Sequence, residues 1–95
     1  MQKILIVNSN IKQCTILRDA IHSAFKKWEI ETAYCYSDGK LLVKESVQTK
    51  KLFTLFLLDK QLSKTQEDHS GYILAKYIRK NLEYFTTPML FLQTH

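Results

Sequence analysis

Glycine and proline are nearly missing from this chain: two glycines and one proline stand among 95 residues. Collagen-like repeats and Pro/Gly-rich linkers are excluded, and disorder is disfavoured. Gly39 and Gly71 are isolated, so no glycine-rich loop is available to cradle a phosphate. Cysteine is equally scarce. Cys14 and Cys35 form neither a CxxC pair nor a zinc pattern, and both are expected to be reduced, packed thiols. No apolar run approaches the roughly 20 residues of a membrane span. The apolar stretch after Met1 is too short for a signal peptide, so a cytoplasmic location without membrane contact is expected. Long runs of one charge are absent too. Fourteen Lys/Arg oppose nine Asp/Glu, for a net charge of +5, with Lys26-Lys27 and Lys50-Lys51 as the only Lys-Lys doublets. That pattern suits a basic, solvated surface better than a nucleic-acid interface.

What is present is alternation. Lys3-Ile4-Leu5-Ile6-Val7 is continuous and β-branched, as in a parallel strand buried on both faces. Asn8-Ser9-Asn10 supplies capping residues. Ile11, Cys14, Leu17, Ile21, Ala24, Phe25 and Trp28 then recur at steps of three and four, predicting a helix over 10–28. Residues 30–36 predict a second, outer strand with Tyr34 and Tyr36 partly exposed. Ser37-Asp38-Gly39 opens a predicted helix from about 38 to 50. Its carboxyl end carries Lys50-Lys51, whose charge complements the helix dipole. Residues 52–58 are the most apolar segment and predict a central strand ending at Asp59. Phe53 and Phe56 are expected to fill the core. A polar loop from Ser63 to Ser70 follows. Gly71 then precedes a helix with Ile73, Leu74, Tyr77, Ile78 and Leu82 facing inward. Tyr72, Tyr77 and Tyr84 are expected to be amphipathic rings with wet hydroxyls. Thr86-Thr87-Pro88 makes a turn before a last strand over Met89–Leu92. The whole predicts one domain, an α/β three-layer fold with a parallel sheet and helices on both faces.

Ligands of open α/β sheets bind beyond the carboxyl ends of the strands. The residues there are Asn8 and Ser9, Asp59, and Gln93 and Thr94. They share one crevice if strands one, three and four are neighbours. A carboxylate ending an apolar strand can anchor a cation or accept a phosphoryl group. His22, His69 and His95 are scattered without ligand spacing, so no histidine metal site is expected. No Ser–His or Cys–His pair is recognisable.

Four segments in order resemble the receiver domain of response regulators. Lys3-Ile4-Leu5-Ile6-Val7 with the two residues after it looks like the receiver's opening. Leu55-Phe56-Leu57-Leu58-Asp59 looks like its third strand and phosphoacceptor. Ser70-Gly71-Tyr72-Ile73-Leu74-Ala75 with Ile78-Arg79-Lys80 looks like its third helix. Pro88-Met89-Leu90-Phe91-Leu92-Gln93-Thr94-His95 looks like its fourth strand. The strand endings and the long polar loop most resemble receivers of the LytTR and Agr type, which are usually joined to a DNA-binding output domain. The resemblance implies a CheY-like, flavodoxin-like fold with strand order 2-1-3-4, and no catalysis by the domain itself. It makes Asp59 the candidate phosphoacceptor of a two-component phosphorelay, with a histidine kinase or other signalling protein as partner.

The departures from that family carry equal weight. The positions of Asn8 and Ser9 are acidic in the family and hold Mg²⁺ with the phosphoacceptor. Here both are neutral, whereas Mg²⁺ favours hard, anionic oxygens. Asp59 and the backbone carbonyl of Gln61 would remain as metal ligands, so Mg²⁺ binding is expected to be weak. Glu67 or Asp68 could be recruited in a rearranged metal site. The position of Gln93 is usually a small hydroxyl residue that switches toward the phosphoryl group. Thr94 is one step along and points to the opposite face. Lys60 follows Asp59 and is aimed away from the pocket. Residues 1–95 correspond to a receiver without its helix 4, strand 5 and helix 5, the fifth strand being the one that carries the family's lysine. Self-association through an exposed edge at Met89–Leu92 and the neighbouring sheet face follows as an expectation.

Overall fold

A computed structural model describes residues 2–60, 62 and 71–92. Strand β1 spans Lys3–Val7, helix α1 Ile11–Ala24, strand β2 Glu29–Ala33 and helix α2 Tyr36–Thr49. Strand β3 spans Leu55–Asp59, helix α3 Gly71–Arg79 and strand β4 Met89–Leu92, with a 3-10 turn over Leu82–Tyr84 before β4. All pairings are parallel, as the alternation predicts, and the strand order is β2-β1-β3-β4, as the family resemblance implies.

Strand alternation divides the core in two. Leu5, Val7, Phe56 and Leu58 face one way, where Val43 of α2 and Leu74 and Ile78 of α3 cover them. Ile4, Ile6 and Leu57 face the other way, where Cys14, Leu17 and Ile21 of α1 pack. The three layers are thus α1, the sheet, and α2 with α3. Burial of these side chains on both faces supplies the main driving force, worth about 1.5–3 kcal/mol for each large apolar residue.

Helix α1 stops four residues before the predicted end. The chain leaves the helix at Phe25 because Glu29 must reach the sheet edge, where its N–H bonds the Gln2 carbonyl at 2.9 Å. Phe25 instead stacks on Trp28, with ring centroids 3.9 Å apart and planes 9° off parallel. Of the predicted stripe, Ile11, Ala24 and Phe25 are exposed, while Cys14 is fully buried. The expected cap is present: Asn10 Oδ1 accepts the Gln13 N–H at 3.1 Å.

Strand β2 ends at Ala33 rather than residue 36, level with the end of β1 through the pair Val7–Ala33. Tyr36 therefore opens α2, earlier than the Ser37-Asp38-Gly39 start suggested. Tyr34 is exposed, and Tyr36 packs against the core. Lys50 closes α2 in the left-handed region at φ 58°, a position glycine usually takes.

Strand β3 begins at Leu55, not at residue 52. The N–H of Phe53 is taken by the Tyr84 hydroxyl at 3.0 Å instead of by a strand. Phe53 and Phe56 are core residues, as expected. Helix α3 ends at Arg79, so Leu82 falls outside the helical period and is 87% exposed. Tyr84 takes the inward place. It is fully buried and meets Phe56 edge-on, ring centroids 5.0 Å apart. Its hydroxyl is not wet, contrary to the sequence expectation.

That hydroxyl belongs to a directed chain. Ser46 Oγ spends its one proton on the Val43 carbonyl, at 2.6 Å. Tyr84 must then be the donor in its contact with Ser46, while its oxygen accepts the Phe53 N–H. The network ties α2, the start of β3 and the approach to β4 together in the core.

Candidate functional site: one carboxylate at the carboxyl edge of the sheet

The register fixes the site. β1 and β3 pair through Val7–Leu58, and one further step sets Asn8 beside Asp59. Asp59 pairs with Leu92, the last residue of β4. Strands one, three and four are neighbours, so their carboxyl ends form one edge, as the crevice requires. By alternation Asp59 shares the face of Leu57, and Asn8 that of Ile4 and Ile6.

Asp59 is 5% exposed and Asn8 is fully buried. Asn8 is held tightly. Its N–H donates to the Ala33 carbonyl at 3.0 Å, and its Oδ1 accepts the Asn10 N–H at 2.9 Å. That bond orients the amide. Nδ2, the donor end, has no hydrogen-bond partner among the described residues. A buried donor without a partner costs about 1–3 kcal/mol. Ser9 is exposed.

This donor set suits Mg²⁺ poorly. Among the described residues Asp59 is its one charged oxygen ligand, the Asn8 oxygen already accepts a backbone N–H, and the Nδ2 end of Asn8 is a donor that repels a cation. Gln61, Gln93, Thr94, Glu67, Asp68, His69 and His95 lie outside the described residues. Among the described residues, no cluster of three His, Cys, Asp or Glu side chains could hold a metal.

Lys60 anchors the strand end through its backbone. Its N–H donates to the Leu92 carbonyl at 3.1 Å, and its carbonyl accepts the Gly71 N–H at 3.0 Å. Sequence reasoning missed what Gly71 does. An added Cβ there would stand 1.9 Å from the Asp59 carbonyl oxygen. The isolated glycine at a helix start was the available signal, but only the fold shows which strand it meets.

The cysteines are free thiols, Cys14 buried and Cys35 half-buried. Burial pushes the Cys14 thiol above its ordinary value, with the Arg18 charge acting in the opposite direction.

No family model matches the chain, and no curated protein does. Solved structures do match, and they are CheY-like receiver domains. The chemotaxis protein CheY4 of Vibrio cholerae, crystallised at low pH, is 25% identical with a TM-score of 0.76, covering 100% of this chain and 70% of that one. The bacteriophytochrome response regulator AtBRR is 18% identical with a TM-score of 0.74, covering 100% and 68%. The receiver domain of the histidine kinase CKI1 from Arabidopsis thaliana, complexed with Mg²⁺ and BeF₃⁻, is 15% identical with a TM-score of 0.75, covering 99% and 66%. The chain thus has the CheY-like receiver fold over its described length and spans about two thirds of the length of these proteins. Among the described residues no helix is long and apolar enough to cross a membrane.

Proposed function

We propose that this chain is a non-catalytic receiver module of bacterial two-component signalling in which Asp59 is phosphorylated weakly or not at all. It signals by contact with other proteins, a histidine kinase or another signalling component among them, and regulates a DNA-binding output of the LytTR kind. One observation carries the weak-phosphorylation part. Asp59 is buried at the end of the central strand beside Asn8, whose oxygen is engaged and whose free end is a donor. Phosphoryl transfer onto a carboxylate needs a cation to neutralise developing charge, and among the described residues this pocket offers that cation one carboxylate. Incubation with acetyl phosphate and Mg²⁺, read by intact mass, is expected to leave the protein largely unmodified. Stoichiometric acylphosphate, abolished in Asp59→Asn, would overturn the proposal.

That outcome would favour the second reading, a phosphorylation-competent receiver with a rearranged Mg²⁺ site. Direct nucleic-acid binding is a weaker third, motivated by the net charge of +5 and tested by the salt dependence of any DNA affinity. Self-association belongs to the first reading. Among the described residues β4 has one strand neighbour, and Leu90 and Phe91 on it are exposed. Such an edge pairs readily with a second copy. Light scattering at high concentration is expected to give a dimer, and a monomer would count against it.

A further inference from the structure

Among the described residues the sheet has two edges, β2 and β4. At the β2 edge, across the sheet from β4, α1 and the start of β2 enclose a cavity of about 460 Å³. Arg18, Asp19 and His22 of α1 line it, with Trp28 just before β2 and Ile30 on it. A cavity of that size suits a small organic molecule. Trp28 is fixed in advance. Phe25 stacks on one face of the indole, with ring centroids 3.9 Å apart, and takes no part in the lining, so the cavity meets the rest of the ring. Trp28 and Ile30 also pack against the core beneath α1. Arg18 and His22 stand four residues apart on α1, which puts both donors on one side of the helix. Arg18 Nη2 is 3.4 Å from Asp19 Oδ1. That single long contact leaves further guanidinium donors and the second Asp19 oxygen for a ligand. Among the described residues His22 has no ion-pair partner.

We propose that this cavity binds a nucleoside monophosphate, with the base on Trp28 and Ile30, a ribose hydroxyl on Asp19 and the phosphate on Arg18 and His22. Each lining group then meets its natural partner. An indole offers a stacking face that any base can use. A carboxylate accepts from a ribose hydroxyl. A guanidinium and an imidazole donate to phosphate oxygens in charge-assisted bonds. The order agrees as well, since Asp19 adjoins Arg18 as ribose adjoins its phosphate. An apolar ligand would leave Arg18, Asp19 and His22 unused, and a bare phosphate would leave the Trp28–Ile30 wall uncovered. A nucleic-acid strand is the other source of the same chemistry, and the test separates the two. The cavity shares no residue with the Asp59 edge, so nucleotide binding stands or falls independently of phosphorylation at Asp59.

Trp28 is the sole tryptophan, so its fluorescence and its indole N–H resonance report on the site directly. Titration with AMP is expected to quench the fluorescence saturably and to shift that resonance. Adenosine and inorganic phosphate are each expected to bind more weakly than AMP by roughly tenfold or more. The exposed changes Arg18→Gln and His22→Gln are each expected to weaken AMP by roughly tenfold and to leave adenosine unaffected. Asp19→Asn is expected to weaken AMP but not its dideoxy analogue, which lacks the ribose hydroxyls. Circular dichroism checks that each variant is folded. A lack of saturable AMP binding overturns the proposal, as does AMP binding indifferent to the Arg18 and His22 changes. Inorganic phosphate binding as tightly as AMP overturns it too, and so does a single-stranded oligonucleotide that binds the site more tightly than AMP.

Discussion

Gly71 lies against the backbone of Asp59 so closely that a Cβ at position 71 would stand 1.9 Å from the Asp59 carbonyl oxygen. The first turn of α3 is thereby packed onto the strand end that carries the candidate carboxylate. The contact is with backbone, which cannot swing aside as a flexible side chain does. Gly71→Ala is expected to destabilise the protein by about 3 kcal/mol through overpacking. Urea denaturation measures this. A wild-type midpoint would mean that α3 does not start against Asp59.

Tyr84 and Ser46 form the core's buried polar link. Tyr84→Phe keeps the ring on Phe56 but removes the acceptor of the Phe53 N–H and the donor to Ser46. The orphaned N–H is buried, so a loss of about 1–3 kcal/mol is expected. Ser46→Ala leaves the Phe53–Tyr84 bond intact and should cost less. A double-mutant cycle is expected to give a coupling energy clearly above zero. Additive losses would mean that the two hydroxyls act separately.

The neutral pocket can be recharged. Asn8→Asp with Ser9→Asp places two carboxylates beside Asp59. Without metal the like charges should lower stability. With Mg²⁺ that loss should reverse, and affinity should exceed the wild type's by roughly tenfold or more. Thermal melts with and without Mg²⁺, together with amide NMR shifts at Asp59, check both directions. A wild type that binds Mg²⁺ as tightly as the double variant would refute the neutral-pocket account.

The two thiols should separate by accessibility. Iodoacetamide is expected to label Cys35 well before Cys14, because Cys14 is fully buried and its thiol is raised above 9.0 by burial. The pH dependence has a definite sign. Below 9.0 the Cys14 thiol is protonated in folded and unfolded chains alike, and its contribution is fully present. Above 9.0 the unfolded chain releases the proton while the folded chain retains it, so stability is lost as pH rises toward the folded value. The stability difference between wild type and Cys14→Ala should therefore shrink above 9.0. A difference that grows with pH would contradict burial of Cys14.

The sequence by itself determined the parallel βα alternation, the two central strands and the end of β3 at Asp59. These rest on local signals. A strand buried on both faces must be continuously apolar, as at Ile4–Val7 and Phe56–Leu58, and a helix that covers it must repeat its apolar residues every three to four positions. The neutrality of Asn8 and Ser9 was equally legible, since charge is a property of the residue type. Element ends were not. α1 stops before Trp28 and β2 before Tyr34 because sheet register, a relation between distant residues, sets where each strand must begin and finish. Only the tertiary structure decided that Tyr84 is buried on a hydroxyl network and Leu82 exposed, that Gly71 touches Asp59, and that Asn8 turns its donor end away from any partner among the described residues. Each of these depends on which atoms meet across the fold. Hydropathy and spacing along one chain encode which face a residue takes, not the atom that waits for it there.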